Sequence, residues 1–165
     1  NDLVRIGSGI DVHAFASAEA GRPLLLAGVR INHPCGLEGH TDADVLAHAV
    51  MDAILGASRL GDIGKLFPDT DERYKDADSL VLLAEVYRLA KDSGVRLMDL
   101  DCVIMAQAPQ LSQYREQMRE NLARTLKITV EQVGIKSTTT EHLGFVGRQE
   151  GILAQAVVLM EECRC

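Results

Sequence analysis

Aromatic residues are scarce in this chain of 165 residues: they make up 4% of it, and tryptophan is absent. The core must therefore be aliphatic, and the 47% of hydrophobic residues are sufficient to build one. Long apolar runs are also missing, since none approaches the ~18 residues that a membrane-spanning helix needs. The N-terminus lacks the basic, apolar and small-residue pattern of a signal peptide. We therefore predict one globular domain over residues 1–165 that neither enters a membrane nor remains disordered.

Positive charge is the second shortage. The chain has 17 Lys and Arg against 24 Asp and Glu, which gives a formal net charge of -7. Because a nucleic-acid backbone is bound mainly through cationic side chains, this balance argues against a nucleic-acid partner. A small phosphate ligand would have to be held locally, by metal ions, backbone N–H groups or a few basic side chains.

The four cysteines form neither a CxxC pair nor the framework of a disulfide-rich protein. Cys102 lies in an apolar run and is expected in the core, whereas Cys163 and Cys165 at the end of the chain are expected to be exposed. This cysteine usage is typical of a reducing compartment, and we predict a cytoplasmic protein.

Hydrophobic periodicity predicts an α+β domain. Alternating patterns predict strands over 3–13, 95–107, 133–139 and 152–161, and a short hairpin over 24–31. Helical patterns predict helices from Thr41–Asp42 to about Ser58, from Asp78 or Ser79 to Gly94, and over about 112–126. The order is βααβαββ-like, which indicates a mixed sheet with helices packed on one face. The last strand is apolar on both faces, which in so small a protein indicates a subunit interface.

Asp11-Val12-His13 is the first chemical signal. Residues i and i+2 of a strand point to the same face, so a carboxylate and an imidazole project side by side as two possible zinc ligands. The alternative is an ordinary surface aspartate next to a hydrogen-bonded histidine, and the pair alone does not separate the two interpretations.

His48 is the candidate for a third ligand. Asp44, His48 and Asp52 are spaced by four and share one helix face, so Asp44 or Asp52 would fix the histidine tautomer, and Asp42 would be a helix cap. The alternative is a solvated polar stripe. Three protein ligands leave a fourth tetrahedral position open, which is typical of a catalytic zinc site.

Further signals suit a phosphate ligand. The hydroxyls of Ser137-Thr138-Thr139-Thr140 could bind phosphate oxygens, and the adjacent Glu141 could carry Mg²⁺, although threonine runs also occur in ordinary strands. His40 precedes a helix N-terminus, where anions are favoured. The acidic loop over 59–78 is either a mobile surface loop or a lid with backbone donors. Small residues over 106–109 would let the backbone approach a flat base.

Together these segments resemble the 2-C-methyl-D-erythritol 2,4-cyclodiphosphate synthase family. They span nearly the whole chain in the family's order, and the combination is far more specific than any one piece. The matching stretches are Arg5–His13, His40–Val45 with His48, Leu60–Asp71, Ala106–Pro109 and Ser137–Arg148.

The resemblance implies a homotrimer around a central cavity, with active sites between neighbouring subunits. It implies one zinc ion per subunit on Asp11, His13 and His48, and a Mg²⁺ or Mn²⁺ ion that bridges the substrate diphosphate with help from Glu141. It implies that His40 and Thr139 stabilise the transition state.

The resemblance also implies the substrate contacts. Besides the three zinc ligands, His40, Thr139 and Glu141, they include Val12 and Thr41. The segments that hold the methylerythritol part are Asp62, Ile63, Gly64, Phe67, Pro68, Asp69, Thr70 and Asp71. Those that hold cytidine diphosphate are Ala106, Gln107, Ala108, Pro109, Gln110, Leu111, Ser112, Thr138, Thr139, Thr140 and Glu141. Phe145 and Arg148 match positions that face the central cavity, where an isoprenoid diphosphate can bind.

The implied activity is a phosphorus–oxygen lyase reaction of the non-mevalonate isoprenoid pathway. It converts 4-diphosphocytidyl-2-C-methyl-D-erythritol 2-phosphate into 2-C-methyl-D-erythritol 2,4-cyclodiphosphate and CMP. The attacking phosphate is already ionised at neutral pH, since its second pKa lies near ~6, which agrees with a sequence lacking a convincing Ser-His-Asp or Cys-His arrangement. Two alternatives stay open. One is a metal-dependent phosphohydrolase, and the other is a non-catalytic trimeric module that binds an isoprenoid diphosphate.

Overall fold

The computed structural model describes residues 3–163, and its elements lie close to the predicted segments. The strands are β1 (Val4–Ala14), β2 (Leu24–Leu26), β3 (Val29–Ile31), β4 (Val95–Met105), β5 (Val133–Thr138) and β6 (Gly151–Glu162). The helices are α1 (Val45–Ser58), α2 (Ile63–Leu66), α3 (Ser79–Asp92), α4 (Arg115–Leu126) and α5 (Gly144–Gly147). Strand β1 runs without a break through Gly7 and Gly9.

The four long strands form one mixed sheet in the order β1-β6-β4-β5. Strand β6 is antiparallel to both β1 and β4, whereas β4 and β5 are parallel and are joined through α4. Strands β2 and β3 form a separate hairpin. The predicted α+β fold with a mixed sheet is confirmed.

The helices cover one face of the sheet. Helix α1 lies across β1 and β6, α4 packs against β5, and α3 contacts β4, α1 and α4. The contact with β1 is made by backbone, because a Cβ added at Gly7 would lie 1.9 Å from the Ala53 carbonyl oxygen and one added at Gly9 would lie 2.1 Å from that of Ala49. The two glycines therefore let α1 rest directly on the strand that carries Asp11.

The opposite face of the sheet is apolar and open. Within the chain, β6 buries one set of alternating side chains completely, whereas Val157 on its other face is 45% exposed. Ile6 and Ile10 of the neighbouring β1 are 69% and 57% exposed. In the single chain, β6 is therefore buried on one face only, and the subunit interface indicated by its apolar second face stays a prediction. Its second face requires a cover from outside the chain to become buried.

Helix α1 begins at Val45 and not at Thr41–Asp42. Asp44 is its N-cap: the completely buried carboxylate accepts from the Ala47 N–H at 3.0 Å and from the Ala27 and Gly28 N–H groups at 2.9 and 2.7 Å. Asp44 therefore joins the β2–β3 turn to the helix start. Asp42 does not cap α1, because its carboxylate points to the start of α3.

The acidic loop over 59–78 is more structured than its sequence suggests. It contains α2 and a 3-10 turn at Glu72–Tyr74. In the described part of the chain, no helix is both long and apolar enough to cross a membrane.

Cys102 is buried and Cys163 exposed, as predicted, and both are free thiols. Cys165 lies outside the described residues.

Candidate metal centre and active site

Asp11, His13 and His48 meet at the junction of β1 and α1. Each offers one ligand atom, and these atoms all lie within 4.8 Å of one another. The Asp11 Oδ2 lies 2.8 Å from His13 Nε2 and 3.1 Å from His48 Nδ1. The alternation of the strand puts the first two side chains on the helix-covered face, and the glycines before them bring α1 close enough to supply the third.

The second nitrogen of each imidazole has a protein partner. His13 Nδ1 donates to the Glu38 carbonyl oxygen, which leaves Nε2 for a ligand. His48 Nε2 lies 3.0 Å from Ser79 Oγ and 3.2 Å from Thr41 Oγ1, which leaves Nδ1 on the side of Asp11. Both rings are therefore oriented with one nitrogen towards the cluster.

The electrostatics of the cluster favour a cation next to Asp11. Burial by itself raises the pKa of Asp11, but the hydrogen bonds and charges of His13 and His48 outweigh it and lower the pKa to about 2. For His13, burial lowers the pKa, yet the hydrogen bond and charge of Asp11 raise it above the ordinary value of 6.5. An ionised carboxylate therefore faces positive charge, which a proton or a divalent metal ion can supply.

The predicted role of Asp44 or Asp52 in orienting His48 is wrong. Asp44 is occupied by backbone N–H groups at the hairpin turn and helix start, as described above. Asp52 accepts from the Ile63 N–H at 2.9 Å, so it fastens α2 to α1. The spacing of four correctly places the three side chains along one helix, but neighbours from other segments take both carboxylates.

A cavity of about 390 Å³ opens beside the three clustered side chains. His40 and Thr41 also line it, and His40 is held by donation from its Nε2 to the Asp71 carbonyl oxygen at 2.9 Å. The predicted residues of the acidic loop that line this cavity are Ile63, Gly64, Phe67, Pro68 and Asp69.

Some predicted contacts of this region lie outside the cavity lining. Asp62 caps α2 by accepting from the Lys65 N–H, Thr70 is exposed, and the Asp71 carboxylate pairs with Arg73. The side chain of Val12 points to the open face of the sheet and is 45% exposed, because it alternates with Asp11 and His13 along the strand.

A second, smaller pocket of about 200 Å³ lies where β4 and β5 end. Most of the predicted cytidine-diphosphate contacts meet there, together with Ser137: Ala106, Gln107, Pro109, Gln110, Leu111, Ser112, Thr138 and Thr139. The His142 N–H donates to Gln107 Oε1 at 3.1 Å and so connects the two segments. Thr139 Oγ1 accepts from the Glu141 N–H at 3.3 Å.

Five other predicted residues line neither pocket in the single chain. Thr140 and the exposed Glu141 follow β5, and Thr140 Oγ1 donates to the Leu143 carbonyl oxygen at 2.7 Å. Ala108 lies in the loop of the second pocket but outside its lining. The exposed Arg148 pairs with Glu150, while Phe145 is half-buried in α5.

The two pockets lie at the same end of the sheet but at its opposite edges, which are formed by β1 and β5. Val12 of β1 pairs with Leu153 of β6, Leu153 pairs with Met105 of β4, and Met105 pairs with Thr138 of β5. Three strand spacings of about 4.8 Å put roughly 14 Å between the strands that carry the two groups. One chain therefore carries two separate pockets.

Ser79 is the contact of His48 that sequence reasoning missed. Its hydroxyl approaches the ring from the first residue of α3, 31 positions along the chain. The sequence signal at this position is that of a helix start, which explains why the residue reads as a cap.

Comparisons with known proteins agree with this geometry. The sequence model of the YgbB family matches residues 4–161. A 2-C-methyl-D-erythritol 2,4-cyclodiphosphate synthase of Geobacillus sp. (strain WCH70) is 57% identical over 160 residues, covering 97% of this chain and 99% of the relative. A protein of the same name from Desulfitobacterium hafniense (strain DSM 10664 / DCB-2) is 56% identical over 158 residues, with 96% and 98% covered.

Two solved structures extend the likeness to the fold. The bifunctional IspDF of Campylobacter jejuni superposes with a TM-score of 0.93 at 44% identity, covering 98% of this chain and 43% of that one. The CDP complex of IspF from Plasmodium falciparum gives a TM-score of 0.85 at 30% identity, covering 99% of both chains. With a family match over nearly its whole length, relatives above 50% identity and the same fold, this chain belongs to the YgbB family.

Proposed function

We propose that this chain is a lyase that forms 2-C-methyl-D-erythritol 2,4-cyclodiphosphate and CMP in the non-mevalonate isoprenoid pathway. The observation that carries the proposal is the Asp11–His13–His48 cluster beside a cavity of about 390 Å³. Full-length relatives that carry the name of this synthase support it. The substrate is 4-diphosphocytidyl-2-C-methyl-D-erythritol 2-phosphate.

The donor set suits zinc. One carboxylate and two imidazoles are ordinary zinc ligands, and three protein donors leave a position for a phosphoryl oxygen. The hydrogen bonds to the second nitrogen of each ring support this role, because they turn an unprotonated nitrogen towards the cluster. Asp11, His13 and His48 would hold a zinc ion, which would supply positive charge to polarise a phosphoryl oxygen.

Glu141 is the proposed protein contact of a second divalent cation. Its carboxylate is exposed next to the hydroxyls that end β5. Mg²⁺ or Mn²⁺ at a diphosphate commonly takes one carboxylate together with phosphate oxygens, and such an ion supplies charge neutralisation between the two phosphates. Thr139 lies beside it and can donate its hydroxyl proton to a phosphate oxygen.

The two pockets, taken as the two halves of one active site and called half-sites from here on, support a homotrimer. One substrate has to contact both the pocket beside β1 and the pocket beside β5. A single chain holds these two pockets roughly 14 Å apart, at opposite edges of the sheet. If the β1 side of one subunit meets the β5 side of the next, the interface is heterologous, and a heterologous interface that closes produces a ring. The exposed apolar face with Ile6, Ile10 and Val157 supplies a surface that such an assembly would bury.

The chain's own groups bind and orient the reactants. The 2-phosphate oxygen forms a bond to the diphosphate phosphorus nearest the sugar alcohol, and the P–O bond to CMP breaks with its electron pair leaving on CMP. No side chain has to remove a proton, because the attacking phosphate is already ionised. His40 and Thr139 bind oxygens whose charge increases in the transition state. The acidic loop over 59–78 excludes water, and Asp52 holds its helix α2 in place through the Ile63 N–H.

Three finer assignments complete the proposal. The pocket of about 200 Å³ that contains Pro109, Ser112 and Thr138 binds the cytidine-diphosphate part. The apolar sheet face, with Phe145 and Arg148 near the assembly axis, binds an isoprenoid diphosphate. The compartment is the reducing cytoplasm, which the free thiols of Cys102 and Cys163 support.

The deciding experiment is product analysis by ³¹P NMR in ¹⁸O-labelled water. A synthase forms the cyclic diphosphate and CMP without incorporating label. A phosphohydrolase would incorporate ¹⁸O into its product, and a non-catalytic binding module would leave the substrate intact with and without metal. The His48→Ala variant is the matched control, since it should lose turnover together with bound metal.

A further inference from the structure

His48 Nε2 is connected to the half-buried carboxylate of Asp42 through one hydroxyl. Ser79 is completely buried, and its Oγ lies 3.0 Å from His48 Nε2. The same Oγ is hydrogen-bonded to Asp42 Oδ1, while the Ser79 N–H donates to Asp42 Oδ2 at 3.0 Å. Asp42 is thus held by the first residue of α3.

The position of each proton in the His48–Ser79–Asp42 series of hydrogen bonds can be assigned. The Asp42 carboxylate accepts from the Ser79 N–H, the Ser79 hydroxyl and the Asp44 N–H. Ser79 Oγ therefore gives its single proton to Asp42 and can only accept from His48. The acceptor role of Ser79 requires a proton on His48 Nε2 and leaves Nδ1, the nitrogen 3.1 Å from Asp11, with its lone pair.

We infer that Asp42 and Ser79 are positioning residues that fix His48 in the tautomer able to bind metal through Nδ1. Asp42 acts only through Ser79, and Ser79 acts only through the ring. The inference rests on the metal site of the proposed function, and it assigns the tautomer-fixing role to residues that lie 37 positions apart in the chain.

Thr41 is a weaker second acceptor for the same nitrogen. Its Oγ1 lies 3.2 Å from His48 Nε2 and also accepts from the Ala43 N–H at 3.2 Å. A hydroxyl that receives the Ala43 N–H keeps its own proton free to rotate, so Thr41 can donate or accept. It therefore does not decide the tautomer, and the carboxylate behind Ser79 does.

The test measures affinity for Zn²⁺ alone, by competition with a chromophoric chelator, and needs no substrate. Asp42→Asn keeps the shape but puts an amide N–H₂ where an acceptor stood, so Ser79 can turn its proton towards the ring. Ser79→Ala removes the acceptor and leaves only Thr41. Loss of such second contacts typically weakens metal binding about 10- to 100-fold, and we expect both variants to fall in that range.

The double variant separates positioning from general damage. If Asp42 acts through Ser79, Asp42→Asn should weaken Zn²⁺ binding no further once Ser79 is alanine. In the zinc-loaded protein labelled with ¹⁵N-histidine, the proton on His48 Nε2 should give an exchange-protected signal that Ser79→Ala exposes to solvent exchange. Asp78→Asn is the matched control, because Asp78 caps the same helix through the Leu80 N–H without contacting the metal cluster. It should bind Zn²⁺ as tightly as the unmodified chain.

Each failure has its own signature. If the unmodified chain binds no Zn²⁺, the metal site of the proposed function is wrong, and this inference is overturned with it. If the unmodified chain binds Zn²⁺ and both single variants bind it within twofold, only the inference is overturned. Additive losses in the double variant, or an equal loss in Asp78→Asn, would show damage to the start of α3 and would also overturn it.

Discussion

Sites shared between subunits can be detected by mixing two inactive variants. The first variant, His48→Ala, destroys the β1 half of the site. The second, Thr139→Ala with Glu141→Ala, destroys the β5 half. Removal of one transition-state donor typically costs ~10²- to 10³-fold in turnover, so each variant alone should keep at most about 1% of normal activity.

The expected recovery follows from the geometry of the half-sites. About 14 Å of sheet separates them within one chain, and under the proposed homotrimer each complete site takes its β1 half from one subunit and its β5 half from the neighbour. In an equal and random mixture, each half is intact with a probability of about one half. About a quarter of the sites are then complete in a closed ring, which is about 25-fold above either variant alone.

The assay is turnover of the two variants co-expressed in equal amounts and purified together without selection for mixed oligomers, with each variant alone treated identically. A different tag on each variant shows by pull-down whether mixed oligomers are present. A second mixture provides a control: the unmodified chain with a triple variant that carries all three changes. Shared sites predict about a quarter of normal activity in this mixture, whereas sites within one chain predict about a half. If the mixture of complementary variants stays at the level of its components while mixed oligomers are present, the shared-site reasoning is refuted.

Four further results are expected. His13→Ala should lose stoichiometric zinc by elemental analysis while its mass by light scattering stays that of the unmodified assembly; retained zinc would remove His13 from the ligands. Gly9→Ala should lower the free energy of unfolding by about 1–3 kcal/mol, because the added Cβ would lie 2.1 Å from the Ala49 carbonyl oxygen. Gly56→Ala is its control, since the nearest atom is 3.8 Å away and helix propensity gains up to ~1 kcal/mol; denaturant unfolding that shows equal losses would contradict the packing argument. As the pH is lowered, zinc affinity should begin to fall while the pH is still above 6.5, because Asp11 raises the pKa of His13 and a proton must leave the ring before metal binds. An affinity that stays constant from pH 8 to pH 6 would contradict this expectation. Glu141→Gln should raise the Mg²⁺ concentration needed for half-maximal turnover, and an unchanged titration would argue against that carboxylate as a metal contact.

The local periodicity of the sequence predicted many of this protein's structural features. The two-residue period of a strand was sufficient to place Asp11 and His13 on one face, and the helical repeat around His48 was sufficient to put a third donor on a helix that packs there. The alternating and helical patterns also placed the main elements within a few residues. Such features depend on backbone geometry over one or two turns, which the order of residues determines directly.

Contacts between distant segments were decided by tertiary structure. Asp44 and Asp52 have the spacing of partners for His48, yet the hairpin turn and α2 occupy their carboxylates, and Ser79 supplies the contact instead. The separation of the two pockets likewise follows from the strand order β1-β6-β4-β5, which no single segment encodes. A polar side chain bonds to whichever donor packing brings within reach, and that depends on the whole fold, whereas its direction along a strand or helix depends only on its neighbours in the chain.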